Sequence, residues 1–294
     1  MKAIQTILLF SLFSVTGVFA QQPDNDFPKD EQIVRGYFNS LLPAPEDTVQ
    51  SNYSPDELML KAAFFLLKTP YVAQTLEGNA EEELVVNLHE LDCMTFVENC
   101  LALSRAAQYP FPDSDYFVRQ LKYIRYRSGI IHGYTSRLHY TTDWIADNVG
   151  KGTIEDITYA LGGKRFQPHL GFMSSHPDLY PGLSENSQDV EVMISIERAI
   201  NQRNTYYYIP QNEINDKQAL IKSGDIICFT TNLPGLDISH LGIACWNKGQ
   251  LSFIHASSKY KKVIINPESL ADYCGTIKGN TGIMVLRPLS VNSK

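Results

Sequence analysis

The stretch Glu90–Leu103, "ELDCMTFVENCLAL", decides how the chain is read. Cys93, Phe96, Val97, Cys100, Leu101 and Ser104 recur at spacings of three and four, which predicts one face of a helix from about Asp92 to Ala107. Asp92 suits the N-cap, because a short carboxylate there can accept the free N–H groups of the first turn. Cys93 then sits where those N–H groups and about half a positive dipole charge favour a thiolate and can also hold an oxyanion. It also lies on the apolar stripe, so a packed thiol and a nucleophile are both open at this point.

A nucleophilic thiol needs a proton acceptor, and the acceptor needs an orienting group. In "DISHLGIACWNKGQLSFIHASS", Asp237–Ser258, His240 opens one strand-like run and His255 ends the next, with Asn247–Gly249 as the turn. Hairpin partners have positions that sum to a constant, so a turn centred near residue 248 sets His240 opposite about residue 256. The two imidazoles are therefore expected together at one end of the sheet, as a base and its orienter or as a structural pair.

Around this core, "SPDELMLKAAFFLLKTPY" (Ser54–Tyr71) reads as a helix opened by Ser54 and Pro55. Residues 110–215 mix Pro, Tyr and Gly with short helical stretches, Asp113–Arg127 and Thr142–Asn148 among them, and are expected as a mostly helical insertion. From residue 216 the texture becomes short β-rich runs, "SGDIICFTT", "SHLGIACW", "LSFIHASS", "KKVIINP" and "GIMVLRP", which predict an antiparallel sheet. Helices first and sheet last give an α+β fold, with residues 21–294 as one domain.

The first twenty residues carry one lysine, an apolar stretch Ile7–Phe13 and small residues before the bond to Gln21, Val18 and Ala20. They predict a cleaved secretory leader, hence an exported protein, periplasmic or secreted. No later run approaches the ~18 apolar residues that span a bilayer, so no membrane segment is expected after cleavage. With 44% hydrophobic and 19% charged residues the chain should fold, and a net charge of −7 without a basic run argues against nucleic acid. Of five cysteines, Cys93 and Cys100 lie roughly 10 Å apart along one helix, beyond the ~7 Å that a disulfide spans. Cys228, Cys245 and Cys274 read as core thiols.

"LDCMTFVEN" (Leu91–Asn99) resembles the Asp-Cys-Ser-x-Phe-Val signature of the NlpC-type, papain-like cell-wall cysteine hydrolases. "SGDIICF" is similar to their Gly-Asp strand, "SHLGIA" and "FIHASS" to their histidine and third-residue strands, and "KTPYVAQTLEG" (Lys68–Gly78) to their Thr-Pro-Tyr segment. The resemblance implies a papain-like core whose nucleophile-bearing helix packs on an antiparallel sheet. It also implies Cys93 as nucleophile, His240 as base and acid, His255 as its orienter and Tyr71 as a neighbour assisting the oxyanion or substrate. Met94 stands where the family usually carries serine. The stretch Tyr126–Asn148 resembles the N-acetylmuramoyl-L-alanine amidase-like branch, which cuts between the lactyl group of muramic acid and L-alanine. Muropeptides are then the expected partner, and no cofactor or metal is called for. In that stretch Arg127 and Arg137 are expected to clamp a carboxylate, and Arg137, His139 and Tyr140 to contact substrate.

Four other readings compete. A zinc hydrolase would draw on His132, His139, His169 or His176, but none stands in a His-Glu-x-x-His helix. A serine hydrolase lacks its Gly-x-Ser-x-Gly elbow. A non-catalytic wall-binding module would leave the thiol at a helix start without a purpose, and a γ-D-glutamyl endopeptidase differs from the amidase only in the side of L-alanine that the pocket holds.

Overall fold

Between Ile226 and Pro288 the five β-rich runs become five strands, and three shorter ones from the preceding segment join them. In chain order they are β1 (Ile154–Asp156), β2 (Lys164–Arg165), β3 (Tyr207–Pro210), β4 (Ile226–Thr231), β5 (Ile238–Asn247), β6 (Gln250–Ser257), β7 (Lys262–Ile265) and β8 (Asn280–Pro288). The computed structural model describes residues 27–43, 53–79, 81–184 and 186–291, so the expected leader lies outside the described residues. The sheet order is β2-β3-β8-β4-β5-β6-β7, with β1 also on β8, and every pairing is antiparallel. β4 is buried at every position, as befits a strand covered on both faces.

The insertion is therefore not only helical. Ile154 pairs with Pro288 and Ile209 with Ile283, so β1 and β3 cover the edge of β8 that would otherwise leave a row of unpaired N–H and C=O groups. Its longer helices are α4 (Ser114–Arg125), α5 (Thr141–Lys151) and α6 (Ser187–Gln202), while α1 (Phe27–Ser40), α2 (Pro55–Phe65) and α3 (Cys93–Ala106) precede them and α7 (Leu270–Thr276) follows β7.

α3 starts where its sequence says it should. Asp92 is extended at φ −98° and accepts the Thr95 N–H at 2.8 Å, while the Asp92 N–H donates to Thr95 Oγ1 at 2.9 Å, closing both ends of a capping box. Every residue from Thr95 to Ala106 is buried, so α3 is a central helix and not an amphipathic surface one. Three of its polar side chains find partners inside: Glu98 in Arg125 at 2.7 Å, the Asn99 Nδ2 in the Asn87 carbonyl at 3.0 Å, and Ser104 in the Pro55 carbonyl at 3.0 Å.

One core lies between α2, α3 and the sheet, with Phe96, Val97, Cys100 and Leu101 against Cys228, Ile243, Ile254 and Met284. The other lies on the opposite face, where Leu270 and Cys274 of α7 meet Ile227, Phe229, Phe253 and Ile283. Each large apolar side chain buried this way contributes about 1.5–3 kcal/mol. All five cysteines are free thiols, and Cys100, Cys228, Cys245 and Cys274 are buried in these cores.

Two buried aspartates fix the strands that carry the site. Asp225 holds Arg287 through two bonds of 2.8 and 2.7 Å, and the preceding Gly224, at φ +94°, admits no side chain because a Cβ would lie 2.1 Å from the Asp56 carbonyl. Asp237 accepts both the N–H and the hydroxyl of Thr142, at 2.7 and 2.8 Å, tying the start of α5 to the start of β5. No helix among the described residues is long and apolar enough to cross a membrane.

Candidate active site

Cys93 is the first residue of α3 and half-buried. Backbone N–H groups of Leu241, Cys93 and Met94 face its sulfur and favour a thiolate, but burial and the Asp92 carboxylate outweigh them and push the thiol up to about 12. Burial therefore overrules the helix dipole at this thiol. The thiol rests protonated, because removal from water opposes its charge more than three amides support it.

The histidines come from the β5–β6 hairpin. Lys248 (φ 50°) and Gly249 (φ 83°) form a two-residue turn, with Asn247 paired to Gln250, and positive φ at both central residues matches the twist of the strands. The ladder runs from that pair to Ile243 and Ile254, so partner positions sum to one more than the sequence reading supposed. Continued, this register sets Gly242, and not His240, across from His255. His240 and His255 are diagonal neighbours, and the contact survives because imidazoles reach diagonally. His240 Nε2 lies 2.6 Å from His255 Nδ1, with the rings nearly perpendicular at 87°. Gly242 makes the space: a Cβ there would fall 2.6 Å from the Phe253 ring and 3.2 Å from His255 Cβ.

Burial among aromatic rings keeps both imidazoles neutral. Phe229, Phe253 and Tyr273 surround His240 with ring centroids 6.1, 6.4 and 6.1 Å away, and its pKa falls to about 4. His255 falls to about 2, by burial first and by its neighbour His240 second. The side-chain amide of Asn266 acts in the other direction on His255, and its Nδ2 is held by the Glu268 carbonyl at 3.1 Å. That leaves the amide oxygen as the group offered to the otherwise unpartnered His255 Nε2. With a proton on His255 Nε2, Nδ1 is an acceptor, His240 carries its proton on Nε2, and His240 Nδ1 is the free lone pair.

Tyr71 is held beside this group, its N–H bonded to the Lys261 carbonyl at 3.0 Å and its backbone bridged to Leu91. Burial and then Cys93 raise its phenol, and the same two causes raise Tyr273, so both phenols stay neutral within electrostatic reach of the sulfur. Tyr273, Asn266 and the Leu241 amide are the site members that sequence reasoning missed. Tyr273 stands in a short helix capped by Ser269, a signal that predicts a helix but not what it faces.

The family model for AmiA-like, N-acetylmuramoyl-L-alanine amidase-like proteins matches residues 61–283, which hold all of these groups. The chain belongs to this family. The AmiA-like chain is also similar to a crystal structure of an N-acetylmuramoyl-L-alanine amidase from Bacteroides uniformis, with 40% identity, 80% of this chain and 98% of that one covered, and a TM-score of 0.76. A Bacteroides fragilis structure whose description offers a xylanase is 43% identical, with 78% and 99% covered and a TM-score of 0.74. A Legionella pneumophila protein of the DUF1460 family model, 21% identical with 92% and 97% covered and a TM-score of 0.67, shares the fold. No curated protein matches the sequence.

The other residues singled out in the AmiA-like sequence have internal partners. Arg137 is 5% exposed, its guanidinium 2.7 Å from Glu77 and 3.3 Å from Glu82, so the expected carboxylate clamp is already closed on carboxylates of the chain itself. Arg127 pairs with Asp143 at 2.7 Å. Tyr140 is buried and donates to Glu197 at 2.7 Å, and His139 bonds the Tyr134 carbonyl at 2.9 Å, with burial holding its pKa near about 3. These contacts tie the wall of the insertion together and engage at least one polar atom of each of the four residues. Of the remaining zinc candidates, His176 is engaged by the Phe172 carbonyl, and His132 and His169 are exposed.

Proposed function

We propose that the protein is a peptidoglycan-cleaving cysteine amidase of papain-like, NlpC type, hydrolysing the N-acetylmuramoyl-L-alanine bond of muropeptides. The observation that carries this reading is the His240–His255 contact of 2.6 Å next to Leu241, whose N–H faces the Cys93 sulfur at the start of α3, inside a family of amidase-like proteins. The leader over residues 1–20 supports action outside the cytoplasm, in the periplasm or beyond, where this substrate lies.

In the proposed reaction His240 Nδ1 takes the proton of Cys93 as the sulfur attacks the lactyl carbonyl, forming the C–S bond and an oxyanion. In this reading the N–H groups at the start of α3 and the neutral Tyr71 phenol hold that oxyanion. As the tetrahedral species collapses, the C–N bond breaks and the His240 proton passes to the departing L-alanine nitrogen. Water then gives a proton to His240 and adds to the thioester, and the C–S bond breaks to release the muramic acid as His240 returns that proton to the Cys93 sulfur. His255 holds the imidazole and accepts its Nε2–H, with Asn266 fixing the tautomer of His255.

A glycosidase, the activity offered for the Bacteroides fragilis relative, needs two carboxylates roughly 5–10 Å apart. The carboxylate next to Cys93 is Asp92, and it is spent on the Thr95 N–H and hydroxyl.

Mass spectrometry of a defined muramoyl tripeptide, incubated with parent protein and Cys93→Ala, tests the proposal. Peptide beginning with L-alanine should appear with the parent only. Product retaining L-alanyl-D-glutamate on the sugar would make it an endopeptidase, cleavage of a sugar–sugar bond in a disaccharide substrate would make it a glycosidase, and no cleavage would favour a binding module.

A further inference from the structure

Arg105 is a buried cation without a counter-charge among the described residues. It stands in the last turn of α3, 5% exposed, with Nε on Gln120 Oε1 at 2.7 Å and Nη1 on the Leu289 carbonyl at 3.4 Å. No carboxylate among the described residues pairs with it, and no hydrogen bond among them engages Nη2. The C-terminal end of α3 offers only about half a negative charge, less than the guanidinium carries. A charge taken out of water without a partner is a costly arrangement, and structures retain it where something else supplies the partner.

Arg105 opens onto a cleft of about 360 Å³ whose lining includes Tyr109, Arg119, Gln120, Tyr123, Lys151 and Val291, and no acidic residue among the described ones lines it. Lys151 adds no net charge, since its ammonium lies 2.5 Å from Asp147 and donates to the Tyr123 and Tyr126 carbonyls. Arg119 is exposed, its guanidinium 4.4 Å over the Tyr116 ring, and it too has no carboxylate partner among the described residues. Two uncompensated guanidinium groups thus share one cleft in a chain of net charge −7.

We propose that this cleft binds a phosphoryl-bearing anion, with the free Nη2 of Arg105 and the fork of Arg119 as its charged contacts. Guanidinium forks match phosphate oxygens bidentately, and two unpaired positive charges match a dianion better than a single carboxylate. The Tyr109 hydroxyl, which accepts from Gln120 at 3.4 Å, has its own proton left to donate to such a ligand. Cys93 and Arg105 are twelve residues apart on one helix, about 18 Å at ~1.5 Å per residue, so this site is separate from the thiol and does not depend on the reaction assigned to it.

Titration of the full chain with inorganic phosphate at constant ionic strength, followed by calorimetry and by thermal melting, tests the assignment. Saturable binding below ~10 mM with a raised Tm is expected, weakened roughly tenfold or more in Arg119→Gln, an exposed change that should fold, and in Arg105→Gln where it folds. Cys93→Ala should bind phosphate as the parent does. Absence of saturation, or unchanged binding in Arg119→Gln, overturns the site. Acetate binding as tightly as phosphate overturns the phosphoryl assignment, and loss of binding in Cys93→Ala overturns its separateness.

Discussion

His240 Nε2 and His255 Nδ1 meet at 2.6 Å although the residue across from His255 is Gly242. The missing side chain at 242 lets the second imidazole lean along the sheet towards the first, so the alignment of the proposed base rests on a diagonal contact. His255→Ala is expected to lower kcat/KM on a muramoyl peptide by on the order of 10²-fold with KM nearly unchanged. His255→Asn should recover part of the loss, because an amide oxygen can also accept the His240 proton, and Asn266→Ala should show a smaller drop. Parent-level kcat in His255→Ala would show that the pair is structural.

Cys93 rests as a thiol held up to about 12. Iodoacetamide should therefore label it slowly at pH 7, no faster than a free peptide thiol, with a rate rising steadily into the alkaline range. A plateau of fast labelling between pH 5 and 8 would instead reveal a preformed thiolate–imidazolium pair and contradict the neutral resting state.

The acid limb of the activity follows from His240, which must be neutral to take the proton. With its pKa lowered to about 4 by burial, activity should persist well below the ordinary imidazole value and fall only near pH 4. Stability moves the same way. The unfolded imidazoles bind protons below about pH 6.5, whereas the folded pair resists protonation down to about 4 and 2. The stabilisation is complete above pH 6.5 and is lost as pH falls towards 4. Melting curves from pH 7 to 4 should show a decline that His255→Asn reduces, and an equal decline in both proteins would remove the pair as its cause.

Gly242→Ala should be costly out of proportion to one methyl group. Its Cβ would fall 2.6 Å from the Phe253 ring and 2.8 Å from the Ile254 carbonyl, neither of which is a flexible chain end. Destabilisation of about 1–3 kcal/mol in urea unfolding is expected, with kcat reduced as His255 is displaced. An unchanged midpoint would mean that the hairpin opens freely at this position.

Arg137→Met separates a wall residue from a substrate clamp. Removing the guanidinium leaves Glu77 and the buried Glu82 facing each other, which should cost about 3–5 kcal/mol of stability. A variant of parent stability whose KM alone rises would restore Arg137 as a substrate contact.

The sequence by itself determined the elements and their chemistry. The spacing of Cys93, Phe96, Val97 and Cys100 and the Asp92 cap are local signals, and local hydrogen bonds realise them as α3. The hairpin that joins His240 to His255 was legible too, because strand pairing follows arithmetically from the turn, to within the one residue by which the Lys248–Gly249 turn shifts it. The tertiary structure decided the rest. Whether Cys93 is charged depends on how much water three packed elements exclude, and that burial overrode the helix dipole visible in the sequence. Tyr273 and Asn266 reach the histidines across a sheet face, and nothing in their spacing from residue 240 encodes that approach. Arg137, His139 and Tyr140 read as free polar groups in the sequence, whereas in the fold Glu77 and Glu197, 60 and 57 residues away, and the nearby Tyr134 carbonyl close on them. A polar residue in a sequence announces what it can bond to, and only the packed chain determines whether that capacity is already used.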